Sequence, residues 1–294
     1  MLGILKSKKA SNKVQKTLSE KITYSVVFVI YLFFALIYCY LLFWLIMTCF
    51  KTHREIILNP FSLPAKMQWK NFVEMVDAFT FNDTSMMGMV WNSIWHSVGC
   101  TLVSVWTIGS AAYVTTKYRF PGQKLYAPIL MFSLIFPIYG SMGASYRIVY
   151  GLGLDNSYLI IITAGTLGSW NFFYFQAFFS NLSWSYAEAA YIDGANDWQI
   201  YYQLMIPQSM GIFGTLGIMT LASAWQDYSN AILYLTEMPT LPVGIYYFQN
   251  EMVYRARMDI LYCACLVSVV PIFALYIGFS KILFTNLSLG GIKM

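Results

Sequence analysis

Six windows of this 294-residue chain carry no Asp, Glu, Lys or Arg: 22–50, 84–116, 125–146, 156–187, 198–226 and 260–280. Each has the roughly 20 residues that an α-helix needs to cross the hydrocarbon of a bilayer. Lipid offers no partner for a backbone N–H or C=O, so such segments must satisfy their hydrogen bonds internally, as helices do. The expected fold class is therefore all-α and integral to the membrane, with six transmembrane helices. With 58% hydrophobic and 11% charged residues, the chain leaves little material for a separate soluble domain. It divides into a basic N-terminal tail (1–21), a transmembrane domain (22–284) and a C-terminal tail (285–294).

The charges that remain orient the spans. Lys6, Lys8, Lys9, Lys13, Lys16 and Lys21 precede the first window, and Lys117, Arg119 and Lys124 sit in the short connection after the second. Positive residues stay in the cytoplasm, which puts both termini of this multi-pass chain there. The net charge of +5 reads as this topology signal. Contact of the tail with anionic lipid is the secondary reading, and nothing beyond the charge suggests nucleic acid. The first 21 residues have no apolar centre and the first window is too long for a signal peptide, so it is expected to remain as a span. Cys39, Cys49, Cys100, Cys263 and Cys265 all fall in or at the ends of predicted spans and read as packed thiols, not as a disulfide or metal framework.

Between the fourth and fifth windows lies Glu188-Ala-Ala-Tyr-Ile-Asp-Gly-Ala195, with Pro207 twelve residues on. Ser185 and Glu188 have the spacing of a capping box, and Gly194 suits the end of a short helix. Asn196 and Asp197 can cap a second helix running towards Pro207. The small side chains of this helix-turn-helix allow another protein to approach closely.

This segment resembles the coupling loop, or EAA loop, of binding-protein-dependent ABC importer permeases. Glu188, Ala189, Ala190, Asp193, Gly194, Ala195 and Pro207 match its pattern, with Tyr201, Leu204 and Ile206 at the apolar positions. Gly211 stands where a second proline is usual. Further landmarks occur in order: Lys51 to Phe72, Tyr118–Gly122, Gly151–Asn156, Trp225-Gln-Asp227, Leu241–Gly244 and the tail Leu287-Ser-Leu-Gly-Gly-Ile-Lys293. Together they resemble the carbohydrate branch of the family, similar to MalG, the smaller pore subunit of maltose importers. Thr52, Leu289 and Met294 depart from that pattern.

The resemblance implies the MetI-like, type I permease fold and a pore shared with a second homologous permease. It also implies two ATPase subunits, which bind ATP and magnesium, and an extracytoplasmic solute-binding protein. The coupling residues would be Glu188, Ala189, Ala190, Asp193, Gly194 and Ala195, and Gly290, Gly291 and Lys293 would form the tail that reaches the ATPases. The solute implied is a sugar or oligosaccharide. An importer of another solute, such as a polyamine or a phosphonate, is the alternative.

No chemistry of the chain's own competes with this reading. There is no G-x-x-x-x-G-K-[ST] loop for ATP, no H-E-x-x-H and no G-x-S-x-G, and His53 and His96 are the only histidines. No cofactor and no catalytic residue is expected. Asp227 follows Pro207 by twenty residues, a rise of about 30 Å, which puts it in the outer part of span five. It is either a solvated helix-end acid or a pore group acting with Trp225 and Gln226. Asn171 and Tyr174 on span four could meet a sugar through amide and aromatic face, or could simply pack. Gly211, Gly214 and Gly217 read as a close helix contact.

Overall fold

The computed structural model describes residues 17–136, 141–165, 169–255 and 257–287. Apart from one two-residue hairpin, the regular structure among them is helical. The first helix, α1 (Leu18–Cys49), opens on a capping box in which the Thr17 N–H donates to Glu20 and the Glu20 N–H donates to Thr17. From Leu18 to Tyr40 its side chains are exposed, as a lipid-facing helix requires. It is followed by two short helices, α2 (His53–Leu58) and α3 (Lys70–Ala78). The hairpin β1 (Thr80–Phe81) and β2 (Thr84–Ser85) turns through Asn82 and Asp83, both at positive φ.

The centre of the molecule is α4 (Met86–Lys117). It buries Ser93, His96, Ser97, Thr101 and Thr115 among its apolar residues. Thr101 and Thr115 return their hydroxyl protons to carbonyls one turn back, at 2.7 Å each, which satisfies these two donors within the helix. Against α4 pack the 3-10 helix Tyr158–Gly165, α7 (Trp170–Asn181) and α10 (Ile206–Gln226). A Cβ added to Gly109 would lie 2.5 Å from Cζ of Phe213, so glycine is what lets α4 and α10 meet here. Of the glycine stripe expected on span five, Gly217 faces open space.

Between α4 and α7 run α5 (Gln123–Ile135) and α6 (Ser141–Gly151). After α7 come α8 (Ser185–Ile192) and α9 (Asp197–Gln199), then a π-helical turn (Ile200–Met205) that passes directly into α10. The widened turn lies just before Pro207, whose missing N–H and bulky ring disturb an α-helical ladder. The chain closes with α11 (Ser229–Tyr234), α12 (Leu241–Arg255) and α13 (Met258–Leu287).

Among the described residues, four helices are long and apolar enough to cross a membrane: Leu18–Cys49, Met86–Lys117, Asp197–Gln226 and Met258–Ser280. The other two apolar windows do not appear as single long helices. The window 125–146 is shared between α5 and α6, and 156–187 between the 3-10 helix, α7 and the start of α8. Lack of charge over twenty residues measures apolarity and not helix continuity, which is why windows and helices differ. Of three buried clusters, two lie at the ends of α4. One joins Cys49, Met75, Phe79, Met89, Trp225, Leu241 and Ile260 at the end of α4 near Met86. The other stacks Ile108, Tyr113, Phe172, Phe175, Phe179, Tyr201, Met205 and Phe213 towards Lys117.

Candidate functional site

The loop from α8 to α10 sits at the Lys117 end of α4. Its first helix does not start on the Ser185–Glu188 box expected from the spacing. The cap position is Trp184, in helical conformation and without a side-chain bond, while Ser185 Oγ pairs with Ser183 Oγ at 2.7 Å. Chain entry by a helical residue leaves Ser185 inside the first turn, where its hydroxyl cannot reach the amide a cap would serve. The Glu188 carboxylate is consequently exposed and has no hydrogen-bond or ion-pair partner among the described residues. Asp193 is exposed in the same way.

The helix ends as its sequence requires. Gly194 adopts φ +84°, its N–H donates to Tyr191 O at 3.0 Å, and the Ala195 N–H donates to Ala190 O at 2.9 Å. This is a Schellman ending, which needs a residue tolerant of the left-handed region. Asn196 then caps the next turn, with reciprocal 2.9 Å bonds between Asn196 and Gln199. Ala187 is fully buried, Ala190 and Ala195 pack partly against the inner cluster, and Ala189 is exposed. The outward surface thus presents Glu188, Ala189, Asp193 and Gly194, with Ile192 87% exposed beside them.

This loop is fastened to the membrane core by polar and aromatic contacts that the sequence did not advertise. Tyr118 and Tyr191 both donate to Asp197, the former at 2.9 Å. Lys117 Nζ donates to Leu182 O at 2.6 Å, and Ser110 Oγ meets Tyr201 OH at 2.6 Å. The hydrogen bond to Asp197 raises the Tyr191 phenol above its ordinary range, and burial followed by its hydrogen bonds does the same for Tyr118. Both phenols therefore stay protonated as donors at neutral pH. These bonds tie α8, through Tyr191 and Asp197, to the end of α4.

A second site lies towards the other end of the bundle. A cavity of about 770 Å³ is lined by His96, Cys100 and Ser104 of α4, Thr220, Ser223 and Gln226 of α10, and Asp227 and Asn230 beyond it. Asp227 ends α10 and accepts both the Asn230 backbone N–H (3.1 Å) and its side-chain amide (2.6 Å). Of the residues singled out from sequence, Gln226 and Asp227 line this space. Asn171 stands next to it, donating to Thr220 Oγ1 at 3.1 Å. Trp225 and Tyr174 are not among the lining residues: Trp225 is buried with its indole N–H on Ser268 O at 3.0 Å, and Tyr174 is exposed on α7. His96, Cys100 and Ser104 recur every fourth residue, a one-face helical spacing that could have been read from sequence. The tail residues Gly290, Gly291 and Lys293 lie outside the described residues.

A helical membrane core that holds a polar cavity and fastens an exposed helix-turn-helix to its end is the architecture of a transporter's membrane subunit. The chain belongs to the family of binding-protein-dependent transport system inner membrane components, whose model matches residues 10–288. It is thus a multi-pass inner-membrane permease and not itself the ATPase of such a system. Two relatives illustrate the range. The diacetylchitobiose uptake system permease protein NgcG of Streptomyces coelicolor is 26% identical over 251 residues, covering 84% of this chain and 82% of the relative. The arabinooligosaccharides transport system permease protein AraQ of Halalkalibacterium halodurans is 24% identical, over 85% of this chain and 89% of that protein. In fold, the chain is similar to a chain in the crystal structure of a bacterial ABC transporter that imports the acidic polysaccharide alginate. The TM-score is 0.74 at 20% identity, covering 90% of this chain and 98% of the other.

Proposed function

We propose that this chain is one of two homologous permeases forming the pore of an ATP-driven importer of neutral oligosaccharides. In this reading six segments cross the membrane, with the short or broken helices in windows 125–146 and 156–187 counted as spans and both termini in the cytoplasm. The loop 185–207 docks in a cleft of the ATPase subunit, Glu188 and Asp193 facing its basic groups and Ile192 its apolar floor. The tail around Gly290, Gly291 and Lys293 reaches between the two ATPases. A solute-binding protein delivers sugar to the outer side, and ATP-driven closure of the ATPases moves the coupling loop and opens the pore outward. ATP and magnesium stay with the ATPase subunits.

The observation that carries the coupling role is the exposed acidic and apolar face of α8, on a helix tied through Tyr191 and Asp197 to Tyr118 at the end of α4. Support for a neutral sugar comes from the cavity. Its described lining offers one carboxylate, an imidazole, amides and hydroxyls, and no Lys or Arg. Hydroxyl-rich ligands suit that set of donors and acceptors. A phosphonate would meet Asp227 without a countercharge, and a polyamine would find one carboxylate for several ammonium groups. The relatives named for chitobiose and arabinooligosaccharide uptake point the same way.

The test is a photoactivatable thiol probe on Ile192→Cys in the complex with its ATPase. Light should couple the permease to the ATPase subunit, with a yield that changes with nucleotide. Absence of any ATPase adduct in all nucleotide states would refute the docking assignment.

A further inference from the structure

The segment between α1 and α3 presents apolar side chains that no part of the described protein covers. Phe61 is 77% exposed and Leu63 68%, and Ile57, Leu58, Met67 and Trp69 are exposed beside them. On α3, Trp69, Val73 and Val76 recur at i, i+4 and i+7 and form one exposed apolar stripe. The opposite side of α3 is committed to the protein: Asn71 Nδ2 donates to Cys49 O and Lys51 O at 2.9 Å each, and Met75 is buried.

The depth of this segment follows from its bonds. Trp44 lies five residues before the end of α1 at Cys49, about 7.5 Å along the helix axis. Its indole N–H donates to Pro60 O at 2.8 Å. Helical side chains lean towards the N-terminus of their helix, here deeper along the membrane span, so Pro60 is held no higher than the Trp44 backbone. Lys51, with no exposed surface, secures the same strand by donating to Asn59 O at 3.0 Å and Pro60 O at 2.9 Å. A buried ammonium is retained only where such acceptors replace water. The clamp bends the chain back down beside α1 after it has left the helix.

We propose that residues 57–76 form a foot that inserts into the lipid leaflet at which α1 ends, with Phe61 and Leu63 among the acyl chains. Under the topology proposed above this is the outer leaflet, but the insertion itself rests on the bonds to α1 and not on that orientation. Continuity with the span decides the occupant: a surface bonded more than a turn below the helix end is beside lipid before any soluble partner can reach it. The foot also joins the outer ends of two spans. Arg257, at the start of α13, pairs with Glu74 of α3, and His53 Nδ1 accepts the Met258 N–H at 3.2 Å. Lys51 is thereby a positioning residue, holding a lipid-anchored frame of α1 and α13.

The experiment places a nitroxide at Phe61→Cys, and separately at Leu63→Cys, with the exposed native thiol removed as Cys39→Ser. The assembled transporter is reconstituted in phosphatidylethanolamine–phosphatidylglycerol vesicles, and collisions with oxygen and with a water-soluble nickel chelate are compared. Both labels should behave like a control label at Phe33→Cys on α1, with oxygen favoured and nickel excluded. Adding Lys51→Gln should raise nickel access at position 61 severalfold. Free access of nickel to both labels in the Lys51 protein would overturn the proposal. Labels that become shielded only when the solute-binding protein is added would overturn it too, assigning the surface to that protein.

Discussion

Gly194 is where the account can be tested by backbone chemistry alone. Its φ of +84° lies in the left-handed region, and a Cβ built there meets nothing within 4 Å. Any cost of substitution is therefore conformational and not steric. For alanine that cost is roughly 1–2 kcal/mol, a factor of about 5–30 in the equilibrium of the turn. Asparagine tolerates this region better and should lose less. Proline cannot reach the angle, being fixed near −65°, and it removes the N–H that donates to Tyr191 O, worth another 0.5–1.5 kcal/mol or so. The turn must then rebuild, and α8 swings away from the surface set by Tyr118, Tyr191 and Asp197. Because the glycine is exposed, insertion and membrane level should not change. Uptake of sugar in cells, normalised to permease in the membrane, should fall in the order glycine, asparagine, alanine, proline, with Gly194→Pro inactive. Full uptake by Gly194→Pro at wild-type membrane level would refute the reasoning.

Glu188→Gln should leave the melting temperature unchanged, since the carboxylate is exposed and has no partner among the described residues, yet reduce co-purification of the ATPase. Truncating one side of a buried ion pair costs about 2–5 kcal/mol, so unchanged retention would make Glu188 a solvated acid. In a background without Cys100, cysteines at Gln226 and Asn230 should react with a water-soluble thiol reagent and change rate with sugar, whereas Trp225→Cys should stay inert; equal reaction at all three would dissolve the assignment of the cavity. Gly109→Ala forces a Cβ against Phe213, and overpacking of this kind costs about 1–3 kcal/mol; a melting temperature equal to wild type would show that α4 and α10 can separate freely. Hydrogen bonds from Lys70 and then Arg257 hold the Glu74 carboxyl below its ordinary range. A depressed carboxyl stabilises the fold above its unfolded pKa and loses that effect as pH falls through the folded value. The melting temperature should accordingly drop on acidification by more in the wild type than in Glu74→Gln, and identical acid profiles would remove the ion pair from the account.

The sequence displayed the membrane class plainly, because charge-free windows have one physical reading in a bilayer. The helix ending and cap at 194–196 were equally legible: Gly194 and Asn196 announce a left-handed ending and a cap, and both form. Ser185 was misread because the box pattern cannot tell a cap residue from one already inside the first turn. The two windows without a single long helix were hidden for a related reason, since apolarity carries no information about helix breaks. In the cavity, Asp227 and Gln226 stood out as polar residues ending an apolar run. His96, Cys100 and Ser104 did not, because each is unremarkable alone and only their common helix face, turned towards α10, makes them a lining. The clamp of Lys51 on Pro60 depends on where a loop folds back, which no local pattern encodes.

The central claim is that this chain couples ATP hydrolysis on partner subunits to sugar import through the loop 185–207. Its most direct measurement is the ATPase activity of the complete transporter in proteoliposomes, with this permease, its homologous partner, two ATPase subunits and the solute-binding protein. Sugar-loaded binding protein should stimulate hydrolysis several-fold, and the stimulation should vanish with Gly194→Pro while the permease remains incorporated. Hydrolysis indifferent to sugar and binding protein, or stimulation that survives Gly194→Pro unchanged, would contradict it.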